Sequence, residues 1–390
     1  MRRSDLTGVL VFLAAGVGLF LLPRFVSDFR AQQIAYVGIY FIALLGLNLL
    51  TGITGQISLG HGAFMLVGGY TTAILMSNQD PPLELLGHQF GNDVRDIWTI
   101  PVAGLVAGIA GFLFGIPALR LTGLYLALAT FAMAVAAPAI VKKFDTFTGG
   151  SGGINLFDVE TRTKPTEITD PVTFETREIP IDILGIEIPS FNEWLYYLCW
   201  TIALVMFAVA WLLLRGRFGR SLRAVRDSEL AAASSGVDLA RYKTLAFGIS
   251  AFYAGVAGSL LAIATTFVNP DTFPIALSIF LLVGVVVGGL GSSWPLVFGA
   301  IFIHFMQIEW AQQMEDVIPD FIPILGDIDT DAPGAPAVAF GVVLILIMLA
   351  FPGGAAGLLR SLKSLRGSDR LKVFGRRPAE APDSRLPSGR

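Results

Sequence analysis

The sequence predicts an all-α polytopic membrane bundle of about ten transmembrane helices with a small outer insertion. Three observations carry this. Hydrophobic residues make up 54% of the chain and charged residues 15%, against about 25% charge in an ordinary soluble domain, and the mean hydropathy is +0.68. Uninterrupted apolar runs recur near the length that spans a bilayer. Basic residues fall on alternate loops, as the positive-inside rule requires of a correctly counted set of spans. Glycine, at 43 of 390 residues, suits membrane helices, where small residues let backbones approach closely.

In chain order, Arg2 and Arg3 precede a first run at 8–23 that resembles a secretory signal. No small-x-small cleavage pattern follows; the chain continues through Pro23, Arg24 and Phe25, which favours a retained first helix. Further runs lie at 32–50, 57–77, 99–117 and 121–141. After a long polar interruption come 194–214, 244–268, 274–291, 294–313 and 335–351. The interruption, 142–193, contains Pro165, Pro171, Pro180 and Pro189 among weakly alternating stretches such as 179–188, and predicts an ordered cap or hairpin. The transmembrane domain is read as 1–366. Residues 367–390, rich in Arg, Pro, Ser and Gly, have too little apolar content to fold and form a basic tail, disordered and held near anionic headgroups.

The loops sort by charge. One set carries Arg2 and Arg3, then Arg120, then Arg215, Arg217, Arg220, Arg223, Arg226, Arg241 and Lys243, and then Arg360, Lys363, Arg366 and the remaining tail cations. The other set carries Asp80, Glu84, Asp93 and Asp96, and later Glu315, Asp316, Asp320, Asp327, Asp329 and Asp331. Both termini are therefore expected in the cytoplasm.

Few residues offer chemistry. The intramembrane ionisable candidates are His61, His304 and Glu309; the last two are five apart, about 140 degrees around a helix, so they do not form an evident proton relay. No G-x-x-x-x-G-K-S/T loop occurs, so ATP is not bound here by that route. Cys199 excludes an internal disulfide framework and a multi-cysteine metal site. The cluster Gly149, Gly150, Gly152 and Gly153 lacks a following Lys and predicts a flexible exit from the fifth span rather than an anion nest.

Two segments exceed generic membrane sequence. Thr51-Gly-Ile-Thr-Gly-Gln-Ile-Ser-Leu-Gly-His-Gly-Ala-Phe64 places glycines and polar side chains between two apolar runs. This is either a helix break lining a path, with Gln56, Ser58 and His61 facing substrate, or a tight cytoplasmic turn. The second segment, 215–243, predicts a short helix from Ser221 to Ser235, with Arg223 and Asp227 four apart on one face and Gly236 as its stop. It is either a docking surface or an ordinary basic loop.

At Gly55-Gln-Ile-Ser-Leu-Gly-His-Gly-Ala-Phe64, Thr148-Gly-Gly-Ser-Gly-Gly153 and Phe218-Gly-Arg-Ser-Leu-Arg-Ala-Val-Arg-Asp-Ser-Glu229, continuing to Ala240-Arg-Tyr-Lys-Thr-Leu-Ala-Phe247, the chain resembles the permeases of branched-chain amino-acid ABC importers. The likeness is to the larger of their two permease types and extends from about residue 34 to 352. It implies a second permease chain, two cytoplasmic ATPase subunits that hold ATP and Mg, an external substrate-binding protein, and a prokaryotic plasma membrane. It implies no cofactor on this chain, no enzymatic activity of its own and no nucleic-acid partner. Within the resemblance, 215–243 looks like the ATPase-coupling loop, with Arg223, Asp227, Glu229 and Gly236 as its candidates; the residues themselves, apart from the resemblance, make Gln56, Ser58, His61 and His304 substrate-pathway candidates. The loop departs from the family pattern in having Leu230 after Glu229 and Gly236 seven residues on. Urea or short amides remain alternative cargoes. An ion-coupled secondary carrier and a membrane-embedded enzyme are the competing classes, and the sparse membrane charge disfavours both.

Overall fold

The computed structural model describes residues 16–77, 96–121, 123–156 and 190–305, four short pairs of strand segments within 83–90, 154–188 and 267–268, and 345, 349 and 353–358. Nine of the ten apolar runs coincide with described helices. These are α1 (Gly16–Phe25), α2 (Asp28–Leu47), α3 (His61–Met76), α4 (Asp96–Ala118) and α5 (Leu124–Lys143). After the short α6 (Asp145–Thr148) come α7 (Phe191–Arg215), α8 (Arg217–Asp227), α9 (Glu229–Ser234), α10 (Leu239–Thr265), α11 (Ile275–Gly288) and α12 (Leu296–Phe305). Among the described residues, six helices are long and apolar enough to cross a membrane, and α1, α3 and α12 are shorter apolar helices. The tenth run at 335–351, apart from helical positions 345 and 349, lies outside the described residues. So do Arg2, Arg3, Glu309, the acidic stretch 315–331 and the tail 367–390.

The strands are small antiparallel pairs. β1 (Leu83–Leu85) and β2 (His88–Phe90) form a hairpin in what the sequence presents as a plain loop. Within 142–193, β4 (Thr166–Thr169) pairs with β5 (Thr176–Ile179), and β6 (Ile181–Ile183) pairs with β7 (Ile186–Ile188). The glycine cluster, expected as an exit from the fifth span, forms a turn after α6. Gly149, Gly150 and Gly153 all take positive φ, and the Gly150 N–H donates to Thr148 Oγ1 at 3.2 Å. The resulting turn lays β3 (Ile154–Asn155) against β8 (Phe267–Val268), with Ile154 opposite Val268. A side chain at Gly153 would sit 2.4 Å from the Val268 carbonyl oxygen.

Helix α10 is the axis of the bundle: 89% of its most apolar stretch is buried inside the protein, against 22% for α5. Lipid gives two apolar helices no hydrophobic reason to associate, so close backbone packing has to supply the attraction. The α4 glycines supply it. Gly104, Gly108, Gly111 and Gly115 recur at spacings of four, three and four residues along one helical face. At Gly111 an added Cβ would meet Ala251 Cβ at 2.2 Å, and on the facing helix one at Gly255 would meet Ala107 Cβ at 2.4 Å. The other flank of α10 packs on α3 in the same way, where a Cβ at Gly68 would lie 2.2 Å from the Gly255 carbonyl oxygen. Residues on the opposite face of α4, including Trp98, Leu105, Ile109 and Leu113, stay exposed, as suits a surface bathed in acyl chains.

Gly255→Ala is expected to force α4 and α10 apart and cost about 1–3 kcal/mol, whereas Gly18→Ala, with nothing within 4 Å, is expected to leave stability unchanged or slightly raised. Cys199 is the chain's single cysteine and is fully buried. Its labelling by a thiol-reactive dye during heating therefore reports unfolding, and the midpoint should fall for the first variant only.

Candidate functional site

Helix α2 does not stop at a cap. It widens into a π-helical turn over Asn48–Ile53, and an irregular stretch follows before α3 begins at His61. Gly52 makes the widening possible, since a Cβ there would lie 2.0 Å from Asn48 Oδ1. Asn48 uses the space: its Oδ1 accepts from the Gly291 N–H at 2.8 Å and its Nδ2 donates to the Ser292 carbonyl at 3.1 Å. One side-chain amide thus fastens the break to the loop between α11 and α12. The break is part turn and part buried backbone. Gly55 and Ile57 are exposed, whereas Ser58, Gly60 and His61 are buried.

Buried backbone freed from helical pairing needs substitute partners. Hydroxyls from three directions provide them. Leu59 N–H donates to Thr130 Oγ1 on α5 at 2.9 Å, Gly60 N–H to Ser58 Oγ at 3.3 Å, and Gly62 N–H to Ser278 Oγ on α11 at 2.9 Å. Gln56 N–H reaches back to the Leu50 carbonyl at 3.1 Å.

His61 is braced on both ring nitrogens. Ser250 on α10 donates its hydroxyl proton to the Gly46 carbonyl at 2.6 Å, so it accepts from His61 Nε2–H across 2.7 Å. That leaves Nδ1 as the acceptor from Ser58, at 3.2 Å. A neutral imidazole therefore ties α2, α3 and α10 together. His304 lies elsewhere. Its Nε2 hydrogen-bonds Gln33 Oε1, its ring stacks on Tyr36 with centroids 5.7 Å apart, and its buried Nδ1 has no hydrogen-bond partner. Gln33 and Gly46 are thirteen residues apart on α2, about 20 Å along the axis. The structure thus groups Ser58 with His61, and separates His304 from both.

The 215–243 segment folds as two helices, not the single helix from Ser221 to Ser235 that its composition predicts. The chain turns at Ser228, whose hydroxyl caps α9 by accepting from the Ala231 N–H at 3.3 Å. A serine between Asp227 and Glu229 makes capping a better use of its oxygen than helix continuation. Nor do Arg223 and Asp227 pair along one face. Arg223 instead donates to the Leu214 carbonyl at 3.0 Å, closing the end of α7. Gly236 does end α9: it has φ +84°, its N–H donates to Ala233 O at 3.0 Å, and Val237 N–H donates to Ala232 O at 3.0 Å, the Schellman pattern. Leu222, Val225 and Ala232 face the bundle, while Asp227, Glu229 and Leu230 face outward, Leu230 at 80% exposure.

The break and this segment meet at Arg226. Its Nη1 donates to the Gly52 carbonyl at 2.7 Å. Gly55 and Gly291, both at positive φ, border the same side chain, with Cβ positions 3.3 Å from Arg226 Cγ and 3.4 Å from its Nη1. Beside this contact is a cavity of about 150 Å³ lined by Thr54, Gly55, Gln56, Ala118, Leu121, Gly123, Leu126, Val225, Arg226, Glu229 and Lys243. Lys243 Nζ pairs with Glu229 Oε2 at 2.7 Å. In the sequence, Arg226 and Lys243 read as loop charge, within the segments 218–229 and 240–247 that carry the family resemblance, and Asn48 carries no reading of its own.

Residues 30–352 match the family model described as branched-chain amino acid transport system / permease component. The chain is 36% identical over 288 residues to the high-affinity branched-chain amino acid transport system permease protein LivM of Salmonella typhimurium, covering 72% of this chain and 63% of that protein. The Escherichia coli protein of the same name matches with the same identity and coverage. The chain thus spans somewhat under two thirds of the length of these relatives. No solved structure matches it significantly.

Two substitutions separate strain from lost bonding. Gly236→Ala meets no neighbouring atom, so only its left-handed backbone is penalised, by about 1 kcal/mol; hydrogen exchange should quicken in α9 alone. Ser250→Ala strips partners from His61 and the Gly46 carbonyl, and is expected to lower global stability by about 1–3 kcal/mol.

Proposed function

We propose that this chain, which belongs to the branched-chain amino acid transport permease family, is the membrane-spanning subunit of an ATP-driven importer that translocates branched-chain amino acids. In this assembly it pairs with a second permease chain. Two cytoplasmic ATPase subunits bind ATP and Mg, and an external binding protein delivers substrate to the outer mouth. The chain sits in a prokaryotic plasma membrane with both termini and the α8–α9 segment in the cytoplasm, in keeping with the basic loops on that side.

The observation that carries the proposal is the two-faced α8–α9 segment. One face packs on the bundle through Leu222, Val225 and Ala232, and the other leaves Asp227 and Leu230 exposed to meet a partner, while Glu229 between them pairs with Lys243. Arg226 links that segment to the helix break by a direct hydrogen bond. A push on α8 and α9 therefore bears on the α2–α3 junction with no intervening flexible element. Gly236 fixes the end of α9 and so the angle at which its outer face is offered. Binding of ATP drives the permease between outward and inward states only insofar as the ATPases favour one of them. The His61 brace disfavours an ion-coupled carrier, because both ring nitrogens are occupied by internal hydroxyls.

Uptake of radiolabelled leucine into proteoliposomes is expected only with all subunits, ATP and binding protein present. Uptake by this chain alone on a proton or sodium gradient would overturn the proposal, and competition by urea or short amides would replace the cargo. Charge reversal at Asp227, or Leu230→Asp alone, is expected to reduce ATP-dependent uptake by about tenfold or more. The Leu230→Asp chain should unfold at the wild-type temperature, since its side chain is largely exposed.

A further inference from the structure

The cavity beneath α8 has a composition that neither a docking surface nor a helix break requires. Its polar side gathers Gln56, Arg226, Lys243 and Glu229, and its apolar side is Ala118, Leu121, Leu126 and Val225. The Gln56 Nε2 atom is buried without a hydrogen-bond partner, an arrangement that is costly unless a ligand or water completes it. Arg226 commits Nη1 to the Gly52 carbonyl and retains further N–H donors on its guanidinium. Lys243 is held by Glu229, but a carboxylate has about four acceptor positions, so Glu229, half-exposed at 49%, can accept a second cation.

We infer that this cavity binds a zwitterionic α-amino acid with a short aliphatic side chain, at the end of the bundle where the ATPase-facing segment lies. The ligand carboxylate meets Gln56 Nε2 and Arg226, its ammonium group meets Glu229, and its side chain lies against Leu121, Leu126 and Val225. A volume of about 150 Å³ suits a small ligand. The choice of ligand rests on the proposed transport of amino acids; the complementarity to opposite charges set beside an apolar wall is a property of the cavity. Because α8 and α9 supply Val225, Arg226 and Glu229, ligand occupancy and the position of the outward-facing segment are linked, and each must affect the other.

The test is equilibrium binding of radiolabelled leucine to the complete permease–ATPase assembly in nanodiscs, without the binding protein and without ATP. Saturable binding is expected, weakened at least about tenfold by Gln56→Glu, which keeps the shape but opposes the carboxylate, and by Gln56→Leu, which removes the donor. Asp271→Asn, far along the chain on an exposed 3-10 turn, should bind as wild type. Isovalerate, which lacks the ammonium group, and leucinamide, which lacks the carboxylate, should compete at least tenfold less well than leucine. Absence of saturable binding by a folded assembly, binding indifferent to both Gln56 variants, or isovalerate competing as well as leucine would overturn the inference. Cys199 labelling confirms that each variant is folded. If leucine binds here but ATP-dependent uptake is absent, the importer proposal fails and this site stands. If uptake proceeds while binding is absent or indifferent to Gln56, the site fails and the importer proposal stands.

Discussion

The structure depends on one constraint: backbone that leaves its helix while buried must find hydrogen-bond partners within the protein. Between α2 and α3 the chain gives up regular pairing, and Thr130, Ser58 and Ser278 supply the acceptors that helical carbonyls would have supplied. Those hydroxyls come from α5, from the break and from α11, so the break is satisfied only with the other helices in place. The irregular segment is therefore a point at which several helices meet through hydrogen bonds. The pairing of His61 with Ser250 and of Ser250 with the Gly46 carbonyl extends the same hydroxyl network into the central helix.

Close approach of backbones makes that network geometrically possible. With α4 and α3 drawn onto α10 through glycine and alanine, short side chains such as serine and threonine reach across from one helix to the next; Thr72 on α3 and Ser259 on α10 meet at 2.6 Å. Larger residues on these faces would hold the helices too far apart for hydroxyl contacts of this length. Packing and polar bonding are thus not separate contributions here. Small residues set the distance, and the hydroxyls exploit it.

Arg226 and Asn48 give this rigid interior its connections to the end of the bundle. Each is a long or branched polar side chain directed at backbone: Arg226 binds the Gly52 carbonyl from α8, and Asn48 binds Gly291 and Ser292 from the π turn. Backbone targets are insensitive to side-chain identity, so these bonds fix α8 and the α11–α12 loop to the break by geometry alone. The cavity beside Arg226 lies within the same arrangement, and its polar wall is shared between the break and the outward-facing segment.

Amino-acid order alone determined the membrane-helical class, the positions of the described apolar helices, the place of the helix break and the end of α9 at Gly236. These follow from local rules: run length against bilayer thickness, alternation of loop charge, and the backbone freedom of a glycine after a short helix. The division of 217–234 at Ser228 is also local, but two local signals compete there, a helix-favouring alanine run and a capping serine, and composition favoured the wrong one. What only the tertiary structure decided is which polar residues act together. His61 and His304 have the same chemistry in the sequence, yet one is enclosed by Ser58 and Ser250 and the other stacks on Tyr36 near the far end of α2. Arg226, one cation among many in a basic loop, becomes distinct only because folding brings Gly52, Gly55 and Gly291 to it from distant parts of the chain. Long-range hydrogen bonds leave no periodicity in the sequence, and so the joining of Gln56 and Glu229 with Arg226 and Lys243 around one cavity could be read only from the folded molecule.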